Sequence, residues 1–392
     1  MIVLSGSQKN YLRRQTTERT GIVKHSTEAN RILRLLFWES TIRCNLSCAH
    51  CRRLDTNEAV GKDLSTEQAK DLVRQLAELG GKQSFNPILV FSGGEPLCRE
   101  DLFELITYAG SLSITPALAT NGTLIDAEVA EKIKDNGVVR VAVSLDGATG
   151  RVHNKLRKLD GCFEKALEGI SHLREKDIPF QINITLTRHN AHQLEDVYEL
   201  AKRCGAVAVH IFMLVPVGCG QVLADTDMLS PKEYEDMLVK ISQLDRLGEI
   251  QIKVTCGPHY ERVIREQGLY QTRKGAHHDD NVPGRGRHGA ATKGCLAGLG
   301  VLFAGHQGDV FPCGYLPVNC GNVLEEGLVD IWHNNKDLAR MRNSSGLEGK
   351  CGICGYRQIC GGCRARAYAA TGNYMAEEPF CAYIPPEAAG SL

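Results

Sequence analysis

The 392-residue chain carries no net charge, its 46 lysines and arginines being offset by 46 aspartates and glutamates. Aromatic residues make up only 6% of it and no basic arm is present, so composition gives no reason to expect nucleic acid as a partner. Long apolar runs are missing too. None approaches the ~20 residues that cross a bilayer, and Met1 to Asn30 contain no apolar core of the kind a signal peptide needs. Cysteine, by contrast, is abundant, with 16 in the chain. These cluster at metal-ligand spacings instead of spreading as a secreted disulfide framework would, so a reducing, cytoplasmic and anaerobic setting is expected.

The densest early cluster is Cys44-Asn-Leu-Ser-Cys48-Ala-His-Cys51, directly after an apolar run containing Ile32, Leu33, Leu35, Leu36, Phe37 and Trp38. That run reads as a buried strand, and the end of such a strand is where α/β sheets carry their chemistry. A structural zinc site uses four ligands, whereas a [4Fe–4S] cluster held by three thiolates keeps one iron open. Three buried cysteines, or part of a zinc site, is the plainer alternative.

From Ile32 onward, strand-like runs alternate with amphipathic stretches. The runs are Leu33–Ser40, Ile88–Ser92, Ile114–Ala119, Val138–Ser144, Phe180–Leu186 and Val207–Val215. Between them helices are predicted over Ser65–Leu79, with Ser65 capping and Gly80-Gly81 stopping it, and over Arg99–Ala109, Asp126–Asn136, Cys162–Lys176 and Asn190–Cys204. This alternation predicts a parallel α/β sheet, with too few units to close an eight-fold barrel. A further helix is expected over Ser230–Arg246, and Thr272–Gly289, which holds His277, His278 and His288, reads as a solvated loop. Domain boundaries follow: a polar lead-in (1–31), an α/β unit (32–230), a linker helix and loop (231–290), a cysteine-rich unit (291–385) and a tail (386–392). Cys98, Cys162, Cys204 and Cys219 read as small apolar core residues.

Gly93-Gly94-Glu95-Pro96 follows the second strand, where two glycines permit close backbone approach and Glu95 brings a carboxylate to the strand end. The C-x3-C-x2-C stretch, supported by this motif, resembles the signature of the radical S-adenosylmethionine (SAM) superfamily. The resemblance implies an open, partial (β/α)6 barrel and a [4Fe–4S] cluster on Cys44, Cys48 and Cys51. The open iron would chelate SAM, whose one-electron cleavage yields a 5′-deoxyadenosyl radical. It further implies that Gly93, Gly94 and Glu95 bind the methionyl amino group, and that Asn121, Ser144, Asp146 and Arg157 line the SAM pocket. Such residues also occur at any strand-to-turn junction. Asn183 either faces the cofactor or satisfies the barrel interior.

Late in the chain stand Cys295, Gly308-x4-Cys313, Cys320, Cys351-x2-Cys354-x5-Cys360-x2-Cys363 and Cys381. This resembles the iron–sulfur SPASM domain, with the Cys360–Cys363 spacing one residue shorter than usual. The resemblance implies one auxiliary [4Fe–4S] cluster on Cys351, Cys354, Cys360 and Cys381. A second would sit on Cys295, Cys313 and Cys363, with Cys320 as its fourth ligand. One auxiliary cluster instead of two, or zinc ribbons, are the alternatives.

Lys253-Val-Thr-Cys256-Gly-Pro-His259-Tyr260-Glu-Arg262, Pro312-Cys313-Gly-Tyr315, Asn319-Cys320-Gly and Cys360-Gly-Gly-Cys363-Arg364-Ala-Arg366 resemble the haem synthases of the siroheme-dependent haem pathway. Relatives of those enzymes act in haem d1 formation. The implied reaction is oxidative decarboxylation of two propionates of iron-coproporphyrin III to vinyl groups, with a ferredoxin or flavodoxin as electron donor. Arg52, Arg262, Arg364 and Arg366 are then candidate carboxylate partners, and His210, Cys256, His259 and Tyr260 candidate axial ligands to the porphyrin iron. Two rivals stand beside this. A peptide-modifying SPASM enzyme would share the cluster motifs, although residues 1–31 leave little room for a recognition domain of about eighty residues. A non-catalytic cluster carrier or zinc-stapled scaffold would leave Gly93-Gly94-Glu95-Pro96 unexplained.

Overall fold

The computed structural model describes residues 32–53, 61–269 and 294–386. The lead-in 1–31, the histidine loop Thr272–Gly289 and tail residues 387–392 lie outside the described residues. Six strands form where the apolar runs predict them: β1 (Leu35–Glu39), β2 (Ile88–Ser92), β3 (Thr115–Thr120), β4 (Arg140–Ser144), β5 (Phe180–Leu186) and β6 (Ala208–Met213). They are linked by α1 (Thr66–Gln83), α2 (Leu102–Ser111), α3 (Ala127–Asp135), α4 (Gly150–Arg157), α5 (Cys162–Glu175) and α6 (Leu194–Cys204).

The sheet does not end at six strands. After α7 (Pro231–Leu247) the chain adds β7 (Gln251–Thr255), then α8 (Tyr260–Glu266), and later β8 (Val301–Ala304) and β9 (Val310–Phe311). The order is β7-β6-β5-β4-β3-β2-β1-β8-β9, with only the β8–β9 pair antiparallel. Residues predicted as linker thus extend one edge, and the cysteine-rich segment supplies the other by pairing β8 with β1. The C-terminal region continues with α9 (Leu328–Asn334), α10 (Lys336–Arg342), α11 (Gly349–Ile353) and α12 (Arg364–Thr371). Gln75 on α1 holds it down, donating to the Val323 carbonyl at 3.0 Å and accepting from the Leu328 amide at 2.7 Å.

Along the strands, alternate residues are fully buried. Leu36, Trp38, Leu89, Phe91, Leu118, Val141, Ile182 and Ile184 belong to one core that also includes the apolar faces of the helices. Each such side chain contributes about 1.5–3 kcal/mol through burial. The intervening residues face the open lumen of the partial barrel. Helix α1 starts on the expected capping box: the Ser65 hydroxyl accepts from the Gln68 amide at 3.3 Å and the Gln68 side chain accepts from the Ser65 amide at 3.0 Å. It does not stop at Gly80-Gly81, however, but runs on to Gln83, where Ser84 takes the left-handed turn. Gly80 has another reason to be glycine, because a Cβ there would lie 2.8 Å from Cδ of Pro87 in the returning chain. Among the described residues, no helix is long and apolar enough to cross a membrane.

Candidate active site

Cys44, Cys48 and Cys51 occupy the loop after β1, each half-buried. The loop is pinned from several sides. Asp63 accepts from the Thr41 hydroxyl at 2.6 Å and from the Ile42 amide at 2.9 Å, while Arg99 donates to the Ser40 carbonyl at 2.6 Å. Parallel pairing of β1 with β2 continues past the strands: the Gly94 amide donates to the Thr41 carbonyl and the Glu95 amide to the Arg43 carbonyl, both at 2.8 Å. A Cβ on Gly94 would sit 2.1 Å from the Arg43 carbonyl oxygen, and one on Gly93 would sit 2.5 Å from that of Thr41. The two glycines therefore let the second strand's turn press against the cysteine loop. The Leu46 amide donates to Cys44 Sγ at 3.4 Å and Arg157 Nη1 donates to Cys48 Sγ at 3.7 Å. Such donors stabilise thiolates at an iron–sulfur cluster. Burial pushes the bare Cys44 thiol up to about 11 and raises Cys48 as well, against the pull of Arg157. Loading a cluster on these thiols must therefore release protons.

Asp146 is fully buried and serves this loop from behind. It pairs with Arg157 Nη2 at 2.6 Å and with His50 Nε2 at 3.2 Å, and its other oxygen accepts from the Thr185 amide at 2.8 Å. Burial would raise its carboxyl, but Arg157 and His50 hold it far below the usual range. Asp146 and Arg157 thus brace the C-x3-C-x2-C loop. Glu95 is likewise buried. Its carboxylate accepts from Thr120 Oγ1 at 2.7 Å, from the Asn121 amide at 2.8 Å and from the Leu97 amide at 3.2 Å. Burial pushes it up to about 7 in spite of these bonds. Asn121 bonds to Asn45 in the cysteine loop at 2.8 Å. The motifs at the ends of β2, β3 and β4 all converge on that loop.

Sheet register puts Ser144, Asn183, His210 and Lys253 in one row across β4 to β7, facing the lumen. Asn183 accepts from Gln181 Nε2 at 2.8 Å. His210 is held by Thr255 and by Gln181 and lies against Phe212, and burial together with Lys253 keeps it neutral. Burial and the nearby Arg140 also push the Lys253 ammonium down. Arg52 meets the lumen face from the opposite edge, donating to Glu39 at 2.8 Å with its guanidinium over the Phe303 ring.

The other arginines proposed for substrate are used internally. Arg262 is buried between Glu235 and Glu266, at 2.5 and 2.6 Å. Arg364 donates to the carbonyls of Tyr374 and Ala376, at 2.9 and 2.7 Å. Arg366, 1% exposed, bonds to Glu378, Leu214, Tyr234 and the Cys256 carbonyl. Tyr260 donates to Asp245 at 2.7 Å, and His259 is buried edge-on to Tyr234. Of the four candidate axial ligands only His210 lies on a lumen-facing strand position.

Cys351, Cys354, Cys360 and Cys381 line one cavity together with His259, Arg262, Lys350 and Arg357. Amides of Tyr356, Gly362 and Glu378 donate to Cys354, Cys360 and Cys351, each at 3.4 Å. Thiols ringing a space, with cations and N–H donors around them, suit a cluster. Cys295, Cys313 and Cys363 form a second group: the Cys295 amide donates to the Cys360 carbonyl at 3.2 Å, and the Gly298 amide donates to the Pro312 carbonyl at 3.1 Å. Cys320 is not among them. It is 2% exposed within the apolar core, bonded to the Val318 carbonyl, with Asp337 and Arg342 as its charged neighbours. Of the four cysteines read as core residues, Cys162 is buried, while Cys98, Cys204 and Cys219 are half-exposed at turns and helix ends.

Sequence reading missed His50, Glu39, Lys253, Tyr315 and Glu378. Tyr315 has Cys51, Cys256, Cys313 and Arg52 as electrostatic neighbours, so it stands between the first thiol site and the second. His50 inside the cysteine motif, and Lys253 and Tyr315 inside the later quoted segments, carried a local signal, whereas Glu39 and Glu378 carried none.

A family model described as the Radical SAM superfamily matches residues 38–201, and another described as an iron-sulfur cluster-binding domain (SPASM) matches residues 295–364. The AdoMet-dependent heme synthase of Methanosarcina barkeri (strain Fusaro) is 44% identical over 352 residues, covering 90% of this chain and 97% of that protein. The protein of the same name from Nitratidesulfovibrio vulgaris (strain Hildenborough) is 41% identical, covering 90% and 93%. Streptococcus suis SuiB, in its crystal structure bound to precursor peptide SuiA, aligns with a TM-score of 0.68 over 97% of this chain and 82% of that one. At 16% identity the likeness is one of fold.

Proposed function

The chain belongs to the radical SAM superfamily, in the family of the AdoMet-dependent haem synthases, and from that membership we propose that it converts two propionates of iron-coproporphyrin III to vinyl groups. The family brings a SAM-binding [4Fe–4S] cluster, and the SPASM domain brings auxiliary iron–sulfur clusters. Cys44, Cys48 and Cys51 would hold the first cluster, and backbone of the Gly93-Gly94-Glu95 turn would meet SAM beside it. When bound, this pair supplies hydrogen-atom abstraction from an unactivated carbon. Each propionate would lose one β-hydrogen atom, carbon dioxide and one electron, the electron leaving for an oxidant such as an auxiliary iron–sulfur cluster, and its two remaining carbons would become the vinyl group.

The protein's part is positioning and water exclusion. Asp146, Arg157 and Glu95 brace the thiol loop at the strand ends, while the lumen offers the substrate a polar, cationic face. That face is the observation that carries the reading: Lys253 beside Arg140 at one edge suits a ligand bearing several carboxylates, while Arg52 at the other edge is paired with Glu39. Ser144 and Asn183 lie between them as neutral hydrogen-bonding groups, and His210 presents a neutral imidazole.

The test is an anaerobic assay with SAM, a low-potential reductant and iron-coproporphyrin III, following porphyrin and 5′-deoxyadenosine by mass spectrometry. Loss of two carboxyl groups coupled to 5′-deoxyadenosine is expected. Lys253→Ala should raise KM for the porphyrin about tenfold, the loss of one charge-assisted contact of about 1.5 kcal/mol. Formation of 5′-deoxyadenosine with untouched porphyrin would overturn the substrate and turn attention to other tetrapyrroles and to peptides.

A further inference from the structure

Strand β7 ends at Thr255, and the next residue breaks a backbone rule. Cys256 has φ of 57°, in the left-handed region that favours glycine, although a glycine follows it at once. Gly257 is needed for packing, since a Cβ there would lie 2.6 Å from Val254. A cysteine is therefore held in a conformation that most side chains avoid, and the surroundings show what holds it. Its carbonyl accepts from Tyr234 Oη at 2.8 Å and from the Arg366 guanidinium. Arg366 Nε in turn donates to Glu378 at 3.0 Å, and Glu378 accepts from the Cys363 amide at 2.7 Å. One buried ion pair thus links the backbones of Cys256 and Cys363, and Cys256 and Cys313 pack in the same small cluster as Cys363. Cys313 is a further electrostatic neighbour of Cys256, and Cys295 and Cys313 both neighbour Cys363.

We propose that Cys256, from the end of β7, is the fourth thiolate of the auxiliary cluster whose other ligands are Cys295, Cys313 and Cys363. The proposal rests on the reading that this chain carries two auxiliary clusters. It replaces Cys320, which is buried elsewhere, and restores a division of eight thiols into four and four. The left-handed turn aims the thiol at its partners, and the Arg366–Glu378 pair fixes the turn. An auxiliary cluster so ligated has no open iron to offer the substrate. It also ties the barrel to the cysteine-rich domain through a shared cluster.

The test uses the full chain with Cys44, Cys48 and Cys51 replaced by Ala, which leaves only the auxiliary clusters. After anaerobic reconstitution, iron content should be about eight per chain, two clusters of four. The EPR spectrum of the reduced protein should not change on adding imidazole, since no iron is open. Cys256→Ala in this background should lose about half the iron, or keep it with an imidazole-sensitive spectrum. Cys256→Ser, closer in shape, should retain the iron with a shifted spectrum, and Cys320→Ala should match the parent in both readouts. An imidazole-sensitive spectrum in the parent would overturn the assignment without any change at Cys256. So would unchanged iron and spectrum in Cys256→Ala, or loss of a cluster in Cys320→Ala. About four irons in the parent, unaffected by Cys295→Ala, would show that the cluster itself is absent, a separate failure that also ends the proposal.

Discussion

Arg366 lies in a motif that suggests a substrate carboxylate, yet its guanidinium is 1% exposed and fully engaged. It donates to Glu378 at 3.0 Å, Leu214 at 3.2 Å, Tyr234 at 2.8 Å and the Cys256 carbonyl. Glu378, itself fully buried, would be raised by desolvation, but Arg366 holds its carboxyl below the ordinary range. Arg366→Met would leave that carboxylate buried with the Cys363 and Phe380 amides as donors, at 2.7 and 3.2 Å, and the buried His259 ring 4.0 Å away. Breaking one side of such a pair costs about 3–5 kcal/mol, whereas replacing both partners costs much less than the two single changes added together. The measurement is anaerobic thermal unfolding of the reconstituted protein for Arg366→Met, Glu378→Gln and the double variant. Each single change should lower the midpoint by several degrees, and the double variant should recover a coupling of about 2 kcal/mol or more. KM for the porphyrin should stay near the parent value in whatever folded protein remains. Strictly additive losses, or an unchanged midpoint with a KM raised tenfold, would refute the clamp and return Arg366 to the substrate.

Gly94→Ala should selectively cost the first cluster, because its Cβ would lie 2.1 Å from the Arg43 carbonyl oxygen and push the cysteine loop away. Iron content should fall by about four per chain while the auxiliary EPR signals persist. Glu39 supplies a pH test: burial alone would raise its carboxyl, but Arg52, with help from His306, holds it down at about 2 against an ordinary 4.5. The stability this contributes is complete above about pH 4.5 and is lost as pH falls through 2, worth about 3 kcal/mol by linkage. In acid unfolding of the cluster-free chain, Glu39→Gln should be the less stable form near neutrality, and the gap should close as pH falls. A gap that stays constant with pH would count against the pairing.

The residues that chemistry requires close together in the chain could be read without a structure. Apolar periodicity located β1 to β6, because a strand buried on one face must alternate, or run apolar, whatever surrounds it. Three thiols on one loop, and Gly93-Gly94-Glu95 at the next strand end, likewise follow from spacing alone. The structure adds a second reason for these glycines, since they make room for the Thr41–Arg43 backbone. Legibility failed where the outcome depended on residues far apart in the chain. An arginine on a motif looks the same whether it meets a carboxylate of a ligand or a buried Glu378, and only packing decides between them. Local sequence could not show that β7 joins the sheet beside β6, or that β8 and β9 extend it beyond β1, since those positions are defined by distant partners. Sequence spacing offered Cys320 as a cluster ligand and Cys256 only as an axial ligand to the porphyrin iron. The fold buried one among apolar side chains and turned the other, at the cost of a left-handed backbone, toward Cys363. Local spacing determined which groups can act together within one loop, while the tertiary structure decided which distant groups meet, because a buried charge such as Arg366 takes its partners from segments far away in the chain.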